Sequence, residues 1–319
     1  MRKLLLGTTA LAAAATLSAN AALADVSLSG YYEWSVSSTG SDVAATDGTS
    51  FGNDSEIKFS FTNKTDSGLT VGMAVEMETD AAGIDESNIY ISGGFGKIVL
   101  GQQDGVGEDY GVSATDLPAE EITAAGQSDS IGIENADIVD LGDGNKVSYH
   151  LPAMGGLTAG VSYLDSGPEG SADQTAYGFK YAMEAGGAGI TIGGATATTE
   201  NSTQDQDTQV LGVSVSSGNI TANVSQATSE ASGVDEESNG AAISFKVSDA
   251  MKFIVHTTET EDSSTSEKYT NSGAEIVYTI ASGLTAYINI EDYDYKVGTS
   301  TGNTADSGTA SKLTIKASF

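Results

Sequence analysis

Apolar and polar positions alternate with a period of two along most of the chain, the signature of β-strands with two unlike faces. Val26, Leu28, Tyr32, Trp34 and Val36 alternate with Ser27, Ser29, Tyr31, Glu33 and Ser35. Ile57, Phe59 and Phe61 alternate with Glu56, Lys58 and Ser60, and Val71, Met73, Val75 and Met77 with Gly72, Ala74, Glu76 and Glu78. The pattern returns around Tyr149, Val161, Phe179, Val213, Ala222, Ile243, Phe253, Ile276 and Ile288. It ends with Leu313, Ile315, Ala317 and Phe319 on one face and Lys312, Thr314, Lys316 and Ser318 on the other. With weaker runs near Ile89, Lys97 and Gly189, the chain predicts about sixteen strands.

The connectors between these runs fall into two alternating classes. Residues 63–68, 93–96, 153–156, 183–187, 216–218, 248–250 and 281–283 are short and turn-like. Residues 38–53, 80–86, 102–144, 164–173, 198–207, 227–240, 258–271 and 292–307 are longer, polar and acidic. Short-long alternation predicts an all-β, antiparallel up-and-down sheet with one plain end and one elaborated end.

The polar faces suit water, so the apolar faces meet either a second sheet, as in a soluble sandwich, or lipid. Several runs approach the ~9–11 residues of a tilted membrane-spanning strand. Tyrosines and phenylalanines recur near strand ends, where an interfacial girdle would lie. Hydrocarbon tolerates no open sheet edge, so the sheet has to close. At about sixteen strands a closed barrel encloses an aqueous lumen instead of a packed core.

Export supports the membrane reading. Arg2 and Lys3 precede an apolar run that ends at Ala22-Leu23-Ala24, the form of a secretory signal peptide over residues 1–24. Cleavage is expected between Ala24 and Asp25, with Ala21 as the nearby alternative, leaving residues 25–319 as one β-barrel domain.

Charge narrows the partners. The formal net charge is −31, there is no cysteine, and Arg2 is the last arginine. Disulfides and thiolate metal sites are excluded, and nucleic acid, which needs basic patches, is not an expected partner. Cations are. An enzyme is not expected: His150 and His256 are the two histidines, and neither has a nucleophile or carboxylate at a triad-like spacing. The "GGFGK" run at 93–97 lacks the spacing and helix of a phosphate loop and reads as a hairpin turn.

The stretches "NKTDSGLTVGMAVEMETD" (63–80) and "NIYISGGFGKIVLGQQDG" (88–105) resemble general diffusion porins of the Rhodobacter type, as do "DVSLSGYYEW" (25–34) and the terminal Phe319. The resemblance is specific over about residues 25–105 and architectural beyond. It implies a sixteen-stranded homotrimeric barrel in the Gram-negative outer membrane, among lipid and lipopolysaccharide. Small hydrophilic solutes and ions would pass by diffusion, and no cofactor is required. It further implies that the third external loop, here 102–144, folds into the pore. That loop carries Asp104, Glu108, Asp109, Asp116, Glu120 and Glu121, with more acids to Asp143 and no lysine.

Related porins face this loop with a basic wall. Carried onto this chain, the wall positions fall at Glu33, Asp54, Glu56 and Glu76, with Lys58 as the nearby cation. Alternation independently turns these residues away from lipid, because Trp34, Ile57 and Val75 beside them are apolar. An acidic loop against an acidic wall predicts a cation-selective constriction. Crowded carboxylates also suit Ca²⁺, with Glu108, Asp109 and Glu134 as candidate ligands. Phe319 resembles the terminal aromatic read by the barrel assembly machinery. The alternative function is a secreted, calcium-ordered β protein of structural or adhesive type.

Overall fold

The computed structural model describes residues 25–42, 47–78, 83–118, 144–165, 167, 172–200, 205–299 and 305–319. The signal-peptide assignment and loop residues Glu120, Glu121 and Glu134 lie outside them. The first strands are β1 (Asp25–Ser41), β2 (Gly48–Lys64), β3 (Thr70–Glu78), β4 (Gly83–Gly93) and β5 (Gly96–Gln102). A short helix, α1 (Val106–Tyr110), and a 3-10 turn (Ala114–Asp116) follow. Next come β6 (Asn145–His150), β7 (Leu157–Leu164), β8 (Asp173–Ala185), β9 (Ala188–Glu200) and β10 (Gln206–Ser217). The chain finishes with β11 (Ile220–Ala231), β12 (Val234–Ser248), β13 (Met251–Asp262), β14 (Glu267–Ala281), β15 (Leu284–Lys296) and β16 (Asp306–Ser318).

Each strand pairs antiparallel with its neighbours in sequence, and β1 pairs with β16 to close the barrel. Closure removes both edges, as hydrocarbon demands. The seam extends past β16: the Phe319 amide donates to the Gly30 carbonyl at 3.0 Å, and the Gly30 amide to that of Phe319 at 3.3 Å.

Burial is inverted relative to a soluble protein. Ile84 (56 % exposed), Leu211, Val224, Ile243 and Ile290 lie open on the outside, whereas Ser229, Ser238, Thr260 and Glu275 are buried within. A continuous apolar belt of this kind is untenable in water and natural in lipid. It does not fit the secreted, soluble alternative. Parity holds across the sheet: Glu33, Glu56, Lys58, Glu76, Lys312 and Lys316 share the inner face, and Trp34, Ile57, Val75 and Ile315 the outer one.

The plain end is made of tight turns. Gly186 and Gly187, both at positive φ (62° and 84°), join β8 to β9 in the two-residue form that matches strand twist. At the other end the strands run further than the apolar alternation implies. Residues 227–240, expected as a loop, are mostly strand, with β11 ending at Ala231 and β12 starting at Val234. The same holds at 38–53 and 258–271, and β15 runs on to Lys296 within 292–307. A 17-residue strand such as β1 is about 56 Å long at ~3.3 Å per residue, well beyond the ~30 Å hydrocarbon layer. Pairing therefore continues into water, where Asp235, Glu237 and Asn239 replace apolar residues on the outer face of β12. Periodicity of hydrophobicity marks only the stretch that lipid touches.

β3 to β7 are shorter, at six to eleven residues each. Residues 103–118 of the connector between β5 and β6 descend into the lumen beside them.

Candidate functional site

The descent is fixed at its base. The Lys146 ammonium, buried on β6, donates to the Gln103 carbonyl at 3.0 Å, and the Gln103 side chain donates to the Lys146 carbonyl at 3.4 Å. The Asp104 amide donates to a Glu86 carboxylate oxygen at 3.2 Å. Next, α1 lies against the inner wall, burying Val106, Gly107 and Tyr110 and leaving Glu108 and Asp109 exposed. The Val106 amide donates to Ser162 Oγ on β7 at 3.2 Å, and the Tyr110 hydroxyl lies 2.9 Å from His150 Nδ1 on β6. Burial, with the Asp109 carboxylate beside it, holds the Tyr110 hydroxyl above its usual pKa, so it keeps its proton.

The 3-10 turn carries the segment across to β11. Ser113 caps it, and Asp116 closes the capping box by accepting the Ser113 amide at 3.0 Å. Asn223 Nδ2 donates to the Ser113 carbonyl at 2.8 Å, and the Ala114 amide donates to Ser225 Oγ at 2.9 Å. The segment is thus tied to β6 and β7 at one end and to β11 at the other.

Facing lumen residues come from the opposite wall, across the β16–β1–β2–β3 seam. Lys316 on β16 forms an ion pair with Glu33 on β1, and its ammonium sits 3.8 Å above the centre of the Tyr31 ring. The Tyr31 hydroxyl donates to Asp54 at 2.9 Å. Lys58 on β2 is ion-paired with Glu76 on β3, opposite in register. Register shifts beside Glu76, where Asp85 and Glu86 of β4 together oppose that one residue. Such bulges re-aim side chains. Glu86 turns inward, to the wall of a lumen cavity of about 400 Å³ that Lys58, Glu76, Lys97, Asp104, Asp109 and His150 also line.

The predicted wall residues Glu33, Asp54, Glu56, Lys58 and Glu76 all stand on the inner faces of β1, β2 and β3. Asp104, Glu108 and Asp109 stand on the inserted segment. Asp116 is there too, but its carboxylate serves the turn. Glu108 and Asp109 are consecutive on a helix, so their side chains diverge. Among the described residues no three His, Asp or Glu side chains converge as metal ligands.

Three features escaped the reading of the sequence. Lys58 is not the lone cation beside the wall carboxylates, because barrel closure pairs the inward-facing Lys316 with Glu33 and β5 brings Lys97 into the cavity. His150 and His256 are not isolated: Asp109 lies 3.9 Å from His150, and Glu291 lies 3.6 Å from His256. The inner glycines that receive the loop gave no signal as a group. Parity, which turns Lys312 and Lys316 into the lumen, could have found Lys97 as well; the contacts themselves depend on three-dimensional register.

A closed barrel with a polar lumen, narrowed by an inward loop, is a pore by geometry. Comparisons place it among known barrels. The family described as Gram-negative porin matches residues 7–298. No curated protein matches the chain. The fold is shared with an anion-selective porin from Comamonas acidovorans (18 % identity, TM-score 0.67), covering 93 % of this chain and 100 % of that one. It is shared as well with a loop L8 deletion mutant of OmpT, an outer membrane protein of Vibrio cholerae (14 % identity, TM-score 0.71, 93 % and 99 % covered). A triple mutant of Rh. blastica porin also matches, at 13 % identity and TM-score 0.63, with 92 % and 100 % covered. The chain belongs to the Gram-negative porin family and forms an outer-membrane channel whose lumen is narrowed by the loop between β5 and β6.

Proposed function

We propose that this porin is a passive diffusion channel that favours cations. One observation carries the reading: carboxylates stand on both sides of the narrowed lumen. Asp104, Glu108 and Asp109 lie on the loop; Glu33, Asp54, Glu56 and Glu76 lie on the wall. The ammonium groups of Lys58 and Lys316 are engaged in ion pairs, and with Lys97 and Lys312 on the same inner surface they offset only part of this charge. Negative potential in a narrow, low-dielectric passage raises the local cation concentration and repels anions. The same fold serves an anion-selective porin in Comamonas acidovorans, so selectivity resides in these side chains and not in the barrel.

Reversal potential across a planar bilayer under a KCl gradient tests the proposal. A potential near the potassium equilibrium value supports it; one near zero or of opposite sign overturns it.

Two further assignments belong to the same reading. A homotrimer is supported by the family and by a trimer form of Vibrio cholerae OmpT with the same fold; stepwise conductance in threes tests it. Calcium at Glu108, Asp109 and Glu134 rests on the acidity of the loop. Unchanged conductance and thermal stability on chelation would remove that assignment.

A further inference from the structure

We propose that four inward glycines, Gly160, Gly178, Gly193 and Gly212, form a seat that fixes the inserted loop and thereby sets the bore of the pore. They lie on four successive strands, β7 to β10, as two cross-strand pairs: Gly160 opposite Gly178, and Gly193 opposite Gly212.

Backbone conformation does not ask for glycine at any of them, because none has the left-handed φ that disfavours other residues. Glycine also weakens a strand, so a run of it on four neighbours needs a reason in space. The loop supplies that reason. A Cβ at Gly160 would stand 2.7 Å from Tyr110 Cε2 and 3.2 Å from Val106 Cγ1. One at Gly178 would stand 2.7 Å from both Tyr110 Cβ and the Val106 carbonyl oxygen. At Gly193 it would meet the Tyr110 carbonyl oxygen at 2.6 Å and Val112 Cγ2 at 2.5 Å. At Gly212 it would run into the Val112 carbonyl oxygen.

Residues 106–112 therefore lie on bare backbone, closer to the wall than any side chain would permit. The ties at Ser162, Asn223 and Ser225 fix the ends of the segment, and the missing Cβ atoms fix its height. Displacement has only one direction open to it. A methyl group added to the seat pushes the loop, with Glu108 and Asp109 on its far side, toward the lumen. These glycines touch no permeant ion; they are positioning residues for the constriction.

The test compares unitary conductance in planar bilayers for Gly160→Ala, Tyr110→Ala and the double variant, with Gly40→Ala as control. Gly40 lies on β1 with its nearest atom 3.9 Å from an added Cβ. Folding is followed by heat-sensitive migration on gels. Gly160→Ala is expected to lose conductance in the wild-type background and to have little effect with Tyr110→Ala, because the ring it strikes is gone. Equal effects in both backgrounds, or wild-type conductance in Gly160→Ala, would overturn the seat. Should Gly160→Ala fail to fold, recovery of folding by Tyr110→Ala supports the seat, and failure in both backgrounds refutes it. The inference rests on the lumen conducting, and wild-type conductance steps recorded alongside separate that question from this one.

Discussion

Glu33 and Lys316 stand directly opposite one another where the first strand meets the last, and their side chains form an ion pair inside the lumen. The closure of the barrel thus places a cation on a wall of carboxylates. Lys316→Met removes that cation and leaves Glu33 beside Asp54. Cation preference is expected to rise, with Glu33→Gln moving it the other way. Stability should fall by about 1–3 kcal/mol in Lys316→Met, because the Glu33 carboxylate it leaves is only 14 % exposed, and by less in Glu33→Gln. Paired reversal-potential and thermal-melting measurements check both; unchanged selectivity in Glu33→Gln, or a rise in its cation preference, would refute the assignment of Glu33 to the permeation path.

Selectivity should depend on salt. The screening length is about 10 Å at 0.1 M and about 3 Å at 1 M. Loop and wall carboxylates therefore act together on an ion at low salt, and only those nearest to it act at high salt. Cation preference is expected to shrink steadily as KCl is raised at a fixed concentration ratio. Preference that is independent of salt would point to steric discrimination instead.

The fold was legible because lipid imposes a strict rule on each strand that it touches. Val71, Met73, Val75 and Met77 announced both a strand and its outer face, and by parity they turned Glu76 inward. The rule stops at the membrane surface, which is why the upper parts of β11 and β12 read as loop. Partners across the sheet were not legible, because Lys316 meets Glu33 only through closure, and His256 meets Glu291 only through the register of β13 to β15. The glycine seat was hidden for a different reason. A glycine in a strand reads as local weakness, and four of them align only once the register of β7 to β10 is known.

Phe319 is 69 % exposed on the outer face while its backbone exchanges two hydrogen bonds with Gly30 of β1. Phe319→Ala keeps those bonds and removes the ring from the lipid interface. We expect a lower yield of folded, heat-modifiable barrels in cells, with unitary conductance unchanged in those that form. Normal yield would remove the role of Phe319 in assembly, and altered conductance would place its effect in the pore.

Lys58 and Glu76 should respond unequally to loss of the partner. The Glu76 side chain is 10 % exposed and that of Lys58 is 41 % exposed, so the carboxylate depends more on the pair than the ammonium does. Glu76→Gln leaves an ammonium that can reach lumen water, and its cost is expected to stay below about 1 kcal/mol. Lys58→Met leaves a poorly hydrated carboxylate, at a cost of about 1–3 kcal/mol. Thermal unfolding of both variants at neutral pH measures this. Equal costs for the two substitutions would show that Glu76 finds its stabilisation elsewhere in the lumen.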